Sequence, residues 1–125
     1  MAQSSMEVLV VDDERHMREF LEIGLAQAGF RTRSAADGPA ALTELSLRVP
    51  NVVVLDLMLP KIDGIALLPL IRRATEVPIL MLSAYTSLPP EVSQSVDLAM
   101  TKGEGAPAFL RNMGSLISDP ASHTS

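Results

Sequence analysis

The chain has 125 residues, of which 47% are hydrophobic and 20% charged, a balance that suits one globular domain with a buried core. Its formal net charge of −5 argues against direct contact with nucleic acid, and the absence of cysteine excludes disulfides and thiolate chemistry. No apolar run approaches the roughly 18 residues of a membrane span, and the N-terminus lacks a signal pattern. We therefore expect a cytoplasmic protein without membrane insertion.

Strand-like and helix-like segments alternate along the chain. The predicted strands are residues 7–11, 30–35, 52–56, 78–82 and 98–101, and the predicted helices are residues 14–28, 38–47, 65–74, 90–95 and 107–117. The fourth helix is short because Pro89 and Pro90 can start a helix but not continue one. Alternation at this period predicts right-handed βαβ units and an α/β fold, a doubly wound sheet of five parallel strands. One domain over residues 1–118 and a polar, frayed tail over residues 119–125 complete this prediction.

Acidic residues follow two of the most apolar predicted strands. Asp56 ends the run at 52–55, and Asp12 and Asp13 follow the run at 8–11. The carboxyl ends of parallel strands meet at the sheet edge where open α/β folds bind ligands. Carboxylates gathered there repel one another unless a cation joins them, and an all-oxygen set suits Mg²⁺. With a metal in place, one carboxylate can act as a nucleophile toward phosphorus.

Two further polar residues follow the remaining strands of the predicted sheet. Ser83 comes after the fourth strand and Lys102 after the fifth, so both belong to the same edge as the acids. A cation and a hydroxyl are the groups that a phosphoryl-accepting site needs for the phosphoryl oxygens.

This set of strand ends resembles the receiver domain of two-component response regulators over nearly the whole chain. The segments that carry the resemblance are VVDDE at 10–14, LDLMLPKIDG at 55–64, MLSAY at 81–85 and TK at 101–102. The resemblance implies a flavodoxin-like, CheY-like fold. It also implies phosphorylation by a histidine kinase or phosphotransfer protein, and signalling to a downstream effector protein or output domain.

The resemblance further assigns a role to each residue of the site. Asp56 would be the phosphoacceptor. The ligands of Mg²⁺ would be Asp13, Asp56 and the backbone carbonyl of Met58, with Asp12 helping through water. The phosphoryl oxygens would be held by Ser83, the Ala84 amide and Lys102.

Each of these residues also has a purely structural interpretation. Asp12 and Asp13 suit a cap of the first helix, and Asp56 suits a turn before Pro60. Ser83 and Lys102 are residue types that often serve structure or solvation alone. We favour the functional interpretation because a cap or a turn does not require the other positions.

The C-terminal part departs from the family pattern. Gly103 stands where receivers usually have proline after the lysine, and Ala99 stands where they have a switch aromatic. We therefore expect the site to be retained and the usual relay to be altered. Tyr85, two residues after Ser83, is either a substitute gate or an exposed loop residue.

Three functions follow from these observations. We predict a Mg²⁺-dependent phosphoacceptor signalling domain that is not an enzyme and loses its phosphoryl group slowly, since Met58 and Tyr85 would not orient an attacking water. The alternative is a docking module of receiver fold that works without phosphorylation. An aspartate-nucleophile phosphohydrolase is disfavoured because it needs an acid at the position of Met58.

Overall fold

The computed structural model describes residues 6–59, 61–62, 64–83 and 90–124, with only the backbone at 91–92 and 117–124. In this part of the chain five parallel strands form one sheet in the order β2-β1-β3-β4-β5. The strands are β1 Glu7–Val11, β2 Arg31–Ala35, β3 Val52–Asp56, β4 Ile79–Ser83 and β5 Leu98–Thr101. The helices are α1 Arg15–Gln27, α2 Gly38–Leu47, α3 Gly64–Ala74, α4 Pro90–Ser93 and α5 Ala106–Thr124, and Lys102–Glu104 form a 3₁₀ turn.

Alternate strand residues pack on opposite faces of the sheet, as the two-residue period of a strand requires. One face carries Leu9, Val11, Val53, Leu55 and Met81 against buried residues of α2 and α3. The other carries Val8, Val10, Val54 and Leu80 against buried residues of α1 and α5. Both faces are therefore covered, which explains why these strands read as continuous apolar runs in the sequence.

The strand register brings the carboxyl ends of the strands into line. Val11 pairs with Leu55, Asp56 pairs with Leu82, and Ser83 pairs with Thr101. Residues that follow β1, β3, β4 and β5 consequently meet at one edge of the sheet.

The predicted α/β fold with a doubly wound, five-stranded parallel sheet is confirmed. The short α4 begins at Pro90, the second residue of the double proline, as predicted, although it ends at Ser93 rather than at residue 95. The last helix differs from its predicted extent, because it continues to Thr124 through most of the segment predicted to be a polar tail. A helix that already exists gains one hydrogen bond for each residue added, so it can extend through a polar segment that would not start one. None of the described helices is both long and apolar enough to cross a membrane.

Candidate functional site

Asp12 lies directly after β1 and is held by several hydrogen bonds. Its N–H donates to the Ala35 carbonyl over 3.1 Å, and its own carbonyl accepts from the Arg18 guanidinium over 2.8 Å. Its carboxylate Oδ1 accepts the Glu14 N–H at 2.9 Å. The side chain is buried, and the Lys102 Nζ lies 3.3 Å from its Oδ2 in an ion pair that lacks hydrogen-bond geometry. Asp12 thus presents a fixed, buried oxygen whose hydrogen-bonding capacity is not filled by the described residues.

The structure does not support the interpretation of Asp12 and Asp13 as caps of the first helix. The residue that caps α1 is Glu14, and it makes no capping hydrogen bond through its side chain. Asp12 instead bonds the Glu14 N–H, one position before the helix begins. Asp13 is exposed, with its carboxylate beside those of Asp12 and Asp56.

Asp56 is the last residue of β3, and its side chain is buried. Its Oδ1 accepts the Met58 N–H at 3.2 Å, and its Oδ2 accepts from the Lys102 Nζ at 3.1 Å. The backbone after it returns close to the strand end, since the Gly64 N–H donates to the Leu57 carbonyl at 2.9 Å. A Cβ at Gly64 would lie only 2.7 Å from that carbonyl oxygen, so glycine is required for α3 to begin there.

Lys102 begins the turn after β5 and reaches across the sheet edge to both buried acids. Its Nζ lies 3.1 Å from Asp56 Oδ2 and 3.3 Å from Asp12 Oδ2. Burial by itself would lower the pKa of Lys102. The hydrogen bond to Asp56 and the two negative charges outweigh burial, and the pKa is raised above its ordinary value.

The Asp56 carboxyl shows that the local negative charge is incompletely compensated. Burial and then repulsion from Asp12 raise its pKa above the ordinary value, and the hydrogen bonds from Lys102 and Met58 oppose this only in part. The charge and hydrogen bond of Lys102 therefore do not offset burial and the charge of Asp12 together.

The donor set fits a hard divalent cation. Carboxylate oxygens of Asp12, Asp13 and Asp56 all lie within 4.8 Å of one another. This spacing and the all-oxygen donor set are compatible with a site for Mg²⁺.

Of the other predicted site residues, Ser83 and Met58 lie in the described part of the chain. Ser83 is the last residue of β4, is buried, and lies at the same edge as Asp56. Met58 has an exposed side chain, and the role of its carbonyl toward a metal stays a prediction. Ala84 and Tyr85 lie outside the residues that the structure describes.

Two contacts beside the site were not predicted. The Glu104 carboxylate accepts the Thr101 N–H at 2.8 Å, directly before Lys102, and Lys61 donates to Asp37 at 3.0 Å across the loop after β3. The contact of Glu104 with Thr101 had a signal in the sequence, because a threonine followed three residues later by glutamate is a known helix-start pattern. The contact of Lys61 with Asp37 joins residues 24 apart, and no local pattern indicates it.

Comparisons with known proteins point to one family. Residues 8–103 match the family model described as the response regulator receiver domain. The chain is 47% identical over 77 residues to the probable transcriptional regulator ycf27 of Cyanophora paradoxa, a match that covers 62% of this chain and 32% of that protein. It is 38% identical over 103 residues to the DNA-binding response regulator MtrA of Mycolicibacterium paratuberculosis, which covers 82% of this chain and 43% of that protein.

A solved structure agrees with this assignment. The receiver domain of the Francisella response regulator 1452 superposes with a TM-score of 0.85 at 28% identity, covering 93% of this chain and 99% of that chain. By contrast, the chain spans less than half of the length of the two curated relatives.

Proposed function

The chain belongs to the response regulator receiver domain family, and on that premise we propose that it accepts a phosphoryl group on Asp56 and signals by a conformational change. The donor would be a histidine kinase or a phosphotransfer protein. The observation that carries the proposal is the convergence of three carboxylates within 4.8 Å at one sheet edge, with Lys102 bonded to the buried Asp56.

The proposed reaction is a phosphoryl transfer between two side chains. A carboxylate oxygen of Asp56 attacks the phosphorus of a phosphohistidine, a P–O bond forms, and the P–N bond breaks with its electron pair leaving on the imidazole nitrogen. Lys102 Nζ, 3.1 Å from Asp56 Oδ2, supplies a positive charge within reach of the phosphoryl oxygens.

The acids around Asp56 suit the cofactor that such a transfer needs. Asp13, Asp56 and the Met58 carbonyl would hold Mg²⁺, with Asp12 acting through water. When bound, the ion neutralises the carboxylates and the incoming phosphoryl group. The raised pKa of Asp56 is consistent with this assignment, because burial and the charge of Asp12, which a bound cation would offset, outweigh the effect of Lys102.

We further propose that the domain is not an enzyme and that its phosphoryl group is lost slowly. Met58, two residues after Asp56, has an exposed and apolar side chain, so it cannot orient a water for attack on phosphorus. The downstream partner would be a protein effector or an output domain, since a domain of net charge −5 is poorly suited to bind DNA directly.

Incubation with a small acyl phosphate and Mg²⁺, followed by intact-mass spectrometry, tests the proposal. We expect the wild type to gain one phosphoryl group and to keep most of it after the donor is removed. Asp56→Ala should gain none, and omission of Mg²⁺ should slow the wild-type reaction by at least tenfold.

Glu76→Ala is the matched control for this experiment, because Glu76 is an exposed acid just before the amino end of β4. It should be phosphorylated like the wild type. A wild-type protein that gains no phosphoryl group while circular dichroism shows it folded would refute the proposal. A gain that persists in Asp56→Ala would place the acceptor elsewhere.

A further inference from the structure

The turn that carries Lys102 has few constraints from its own sequence. Gly103 follows the lysine directly, and Gly105, at φ 91°, ends the turn in a conformation that other residues adopt at a cost. The backbone of the turn that begins at Lys102 would therefore be unusually flexible if no side chain held it in place.

One side chain closes this turn. Glu104 Oε2 accepts the Thr101 N–H at 2.8 Å and lies 3.5 Å from the Thr101 hydroxyl. β5 is the last strand in the sheet order, so N–H groups on its outer side lack a neighbouring strand in the described sheet. Glu104 supplies an acceptor for one of them and joins the two ends of the segment that holds Lys102.

We propose that Glu104 is a positioning residue for Lys102. By bonding back to Thr101 it fixes the path of the backbone, and this keeps Nζ at 3.1 Å from Asp56 and 3.3 Å from Asp12. The hydrogen bond thus restricts the backbone of this turn, as a residue with less conformational freedom than glycine at position 103 would. This inference deepens the proposed function, on which it rests for its effect on phosphorylation.

Two properties of the site make this position important. Lys102 compensates two buried carboxylates at once, so a shift of its backbone weakens both contacts together. Glu104 is exposed, and its carboxylate bonds the backbone of Thr101, so it acts through Thr101 rather than by touching a reacting group.

The first test compares Glu104→Ala with Glu104→Gln. Both remove the charge, but only glutamine keeps an oxygen that can accept the Thr101 N–H. We expect phosphorylation of Asp56 by a small acyl phosphate to slow by roughly tenfold in Glu104→Ala and to stay within twofold of the wild type in Glu104→Gln. Equal slowing in both variants would mean that charge matters and not the hydrogen bond, and would overturn the inference.

The second test does not depend on phosphorylation. The chain has two lysines, Lys102 and Lys61, with side chains that are 24% and 66% exposed. Brief acetylation with an amine-reactive ester, read by peptide mass, gives the ratio of labelling at Lys102 to that at Lys61. We expect this ratio to rise several-fold in Glu104→Ala and to stay at the wild-type level in Glu104→Gln.

The two tests separate the two hypotheses. A wild type that is never phosphorylated would refute the proposed function, and the labelling ratio would still report on the turn. An unchanged labelling ratio in Glu104→Ala, with the Thr101 N–H exchanging with solvent no faster than in the wild type, would refute the positioning role even if Asp56 is phosphorylated normally.

Discussion

At Asp56, opposing interactions decide the charge state of a buried carboxyl group. Burial and the nearby Asp12 raise its pKa, while Lys102 and the Met58 N–H lower it by less. An acid whose pKa is higher in the folded than in the unfolded protein stabilises the fold below its unfolded pKa and loses this contribution as the pH rises through its folded pKa. In the metal-free protein at neutral pH, the ionised Asp56 therefore destabilises the fold.

Asp56→Asn should consequently make the metal-free protein more stable at pH 7, by on the order of 1 kcal/mol. Asparagine keeps an oxygen for the Met58 N–H and removes the repulsion from Asp12, and Lys102 retains Asp12 as its partner. Urea unfolding at neutral pH and at a pH below the ordinary aspartate pKa measures the effect. The advantage of the variant should shrink at the lower pH, where the wild-type carboxyl becomes protonated.

Glu76→Gln serves as the control for this comparison, because it removes an exposed charge away from the site. Its stability should match that of the wild type at both pH values. A lower stability of Asp56→Asn at pH 7 would show that the bond to Lys102 outweighs burial and repulsion, contrary to the raised pKa.

The sequence indicates which residues form the site but not how they contact one another. Asp12, Asp56 and Lys102 follow apolar strands, and parallel pairing alone brings such positions to one edge. The bond from one lysine to two acids depends on side-chain directions across β1, β3 and β5, which local patterns do not contain. The hydrogen bond between Glu104 and Thr101 could be predicted from the sequence, because both residues lie within a segment of four residues.

At the scale of the elements, Glu7 joins β1 to β2 and α2 at the edge opposite the site. It is buried, its carboxylate accepts from the Arg48 guanidinium at 2.6 and 3.1 Å, and Arg33 Nε lies 3.2 Å away. The hydrogen bond from Arg48 is the largest influence on the pKa of Glu7. With the charge of Arg33 it outweighs burial, and the pKa is lowered.

Glu7→Gln should destabilise the protein at neutral pH by about 2 kcal/mol, as expected for a lost charge-assisted hydrogen bond that is partly open to solvent. Because the folded pKa is lowered, the stabilisation by Glu7 is present above its unfolded pKa and is lost as the pH falls through the folded pKa. Urea unfolding of the wild type and the variant should therefore converge in acid. A difference that stays constant down to strongly acidic pH would indicate a packing defect instead of a lost ion pair.

The boundaries of the elements were predictable where the sequence contains a strong local signal. β1, β3 and β5 have the predicted bounds because each is an apolar run that ends at a polar residue, and α2 begins at Gly38, after Asp37 accepts the Ala40 N–H. The contact of Glu7 with Arg48 spans 41 residues, so only the folded chain reveals it. The continuation of α5 to Thr124 likewise follows from the helix already formed before it.

At the scale of the whole molecule, the edge strand β5 contains no aromatic side chain. Ala99 is exposed on β5, next to Met81 of β4, and its methyl group cannot fill a pocket. Lys61, in the loop after β3, donates to Asp37 before α2, and Glu104 closes the turn after β5 by accepting from Thr101. We therefore expect a change at Asp56 to reach neighbouring segments through these polar contacts more directly than through packing around β5.

Binding of Mg²⁺ should couple the acidic site to the stability of the entire domain. A ligand that binds only the folded state stabilises it by RT ln(1 + [L]/Kd), or about 2.7 kcal/mol at a hundred times Kd. Thermal unfolding monitored by circular dichroism should therefore show a midpoint that rises with the logarithm of the Mg²⁺ concentration. The gain in Asp13→Asn should be much smaller, because Asp13 is exposed and its removal takes away a ligand without disturbing the core.

Sodium chloride at matched ionic strength separates binding from screening in this experiment. Screening would raise the midpoint for any salt and by the same amount in Asp13→Asn, whereas a site made by Asp12, Asp13 and Asp56 responds to the divalent ion and to the loss of one carboxylate. Equal midpoints for the wild type and Asp13→Asn at every Mg²⁺ concentration would refute a metal site at this edge. A response in the wild type alone would show that Asp13 contributes to the metal site, as the proposed Mg²⁺-dependent phosphorylation of Asp56 requires.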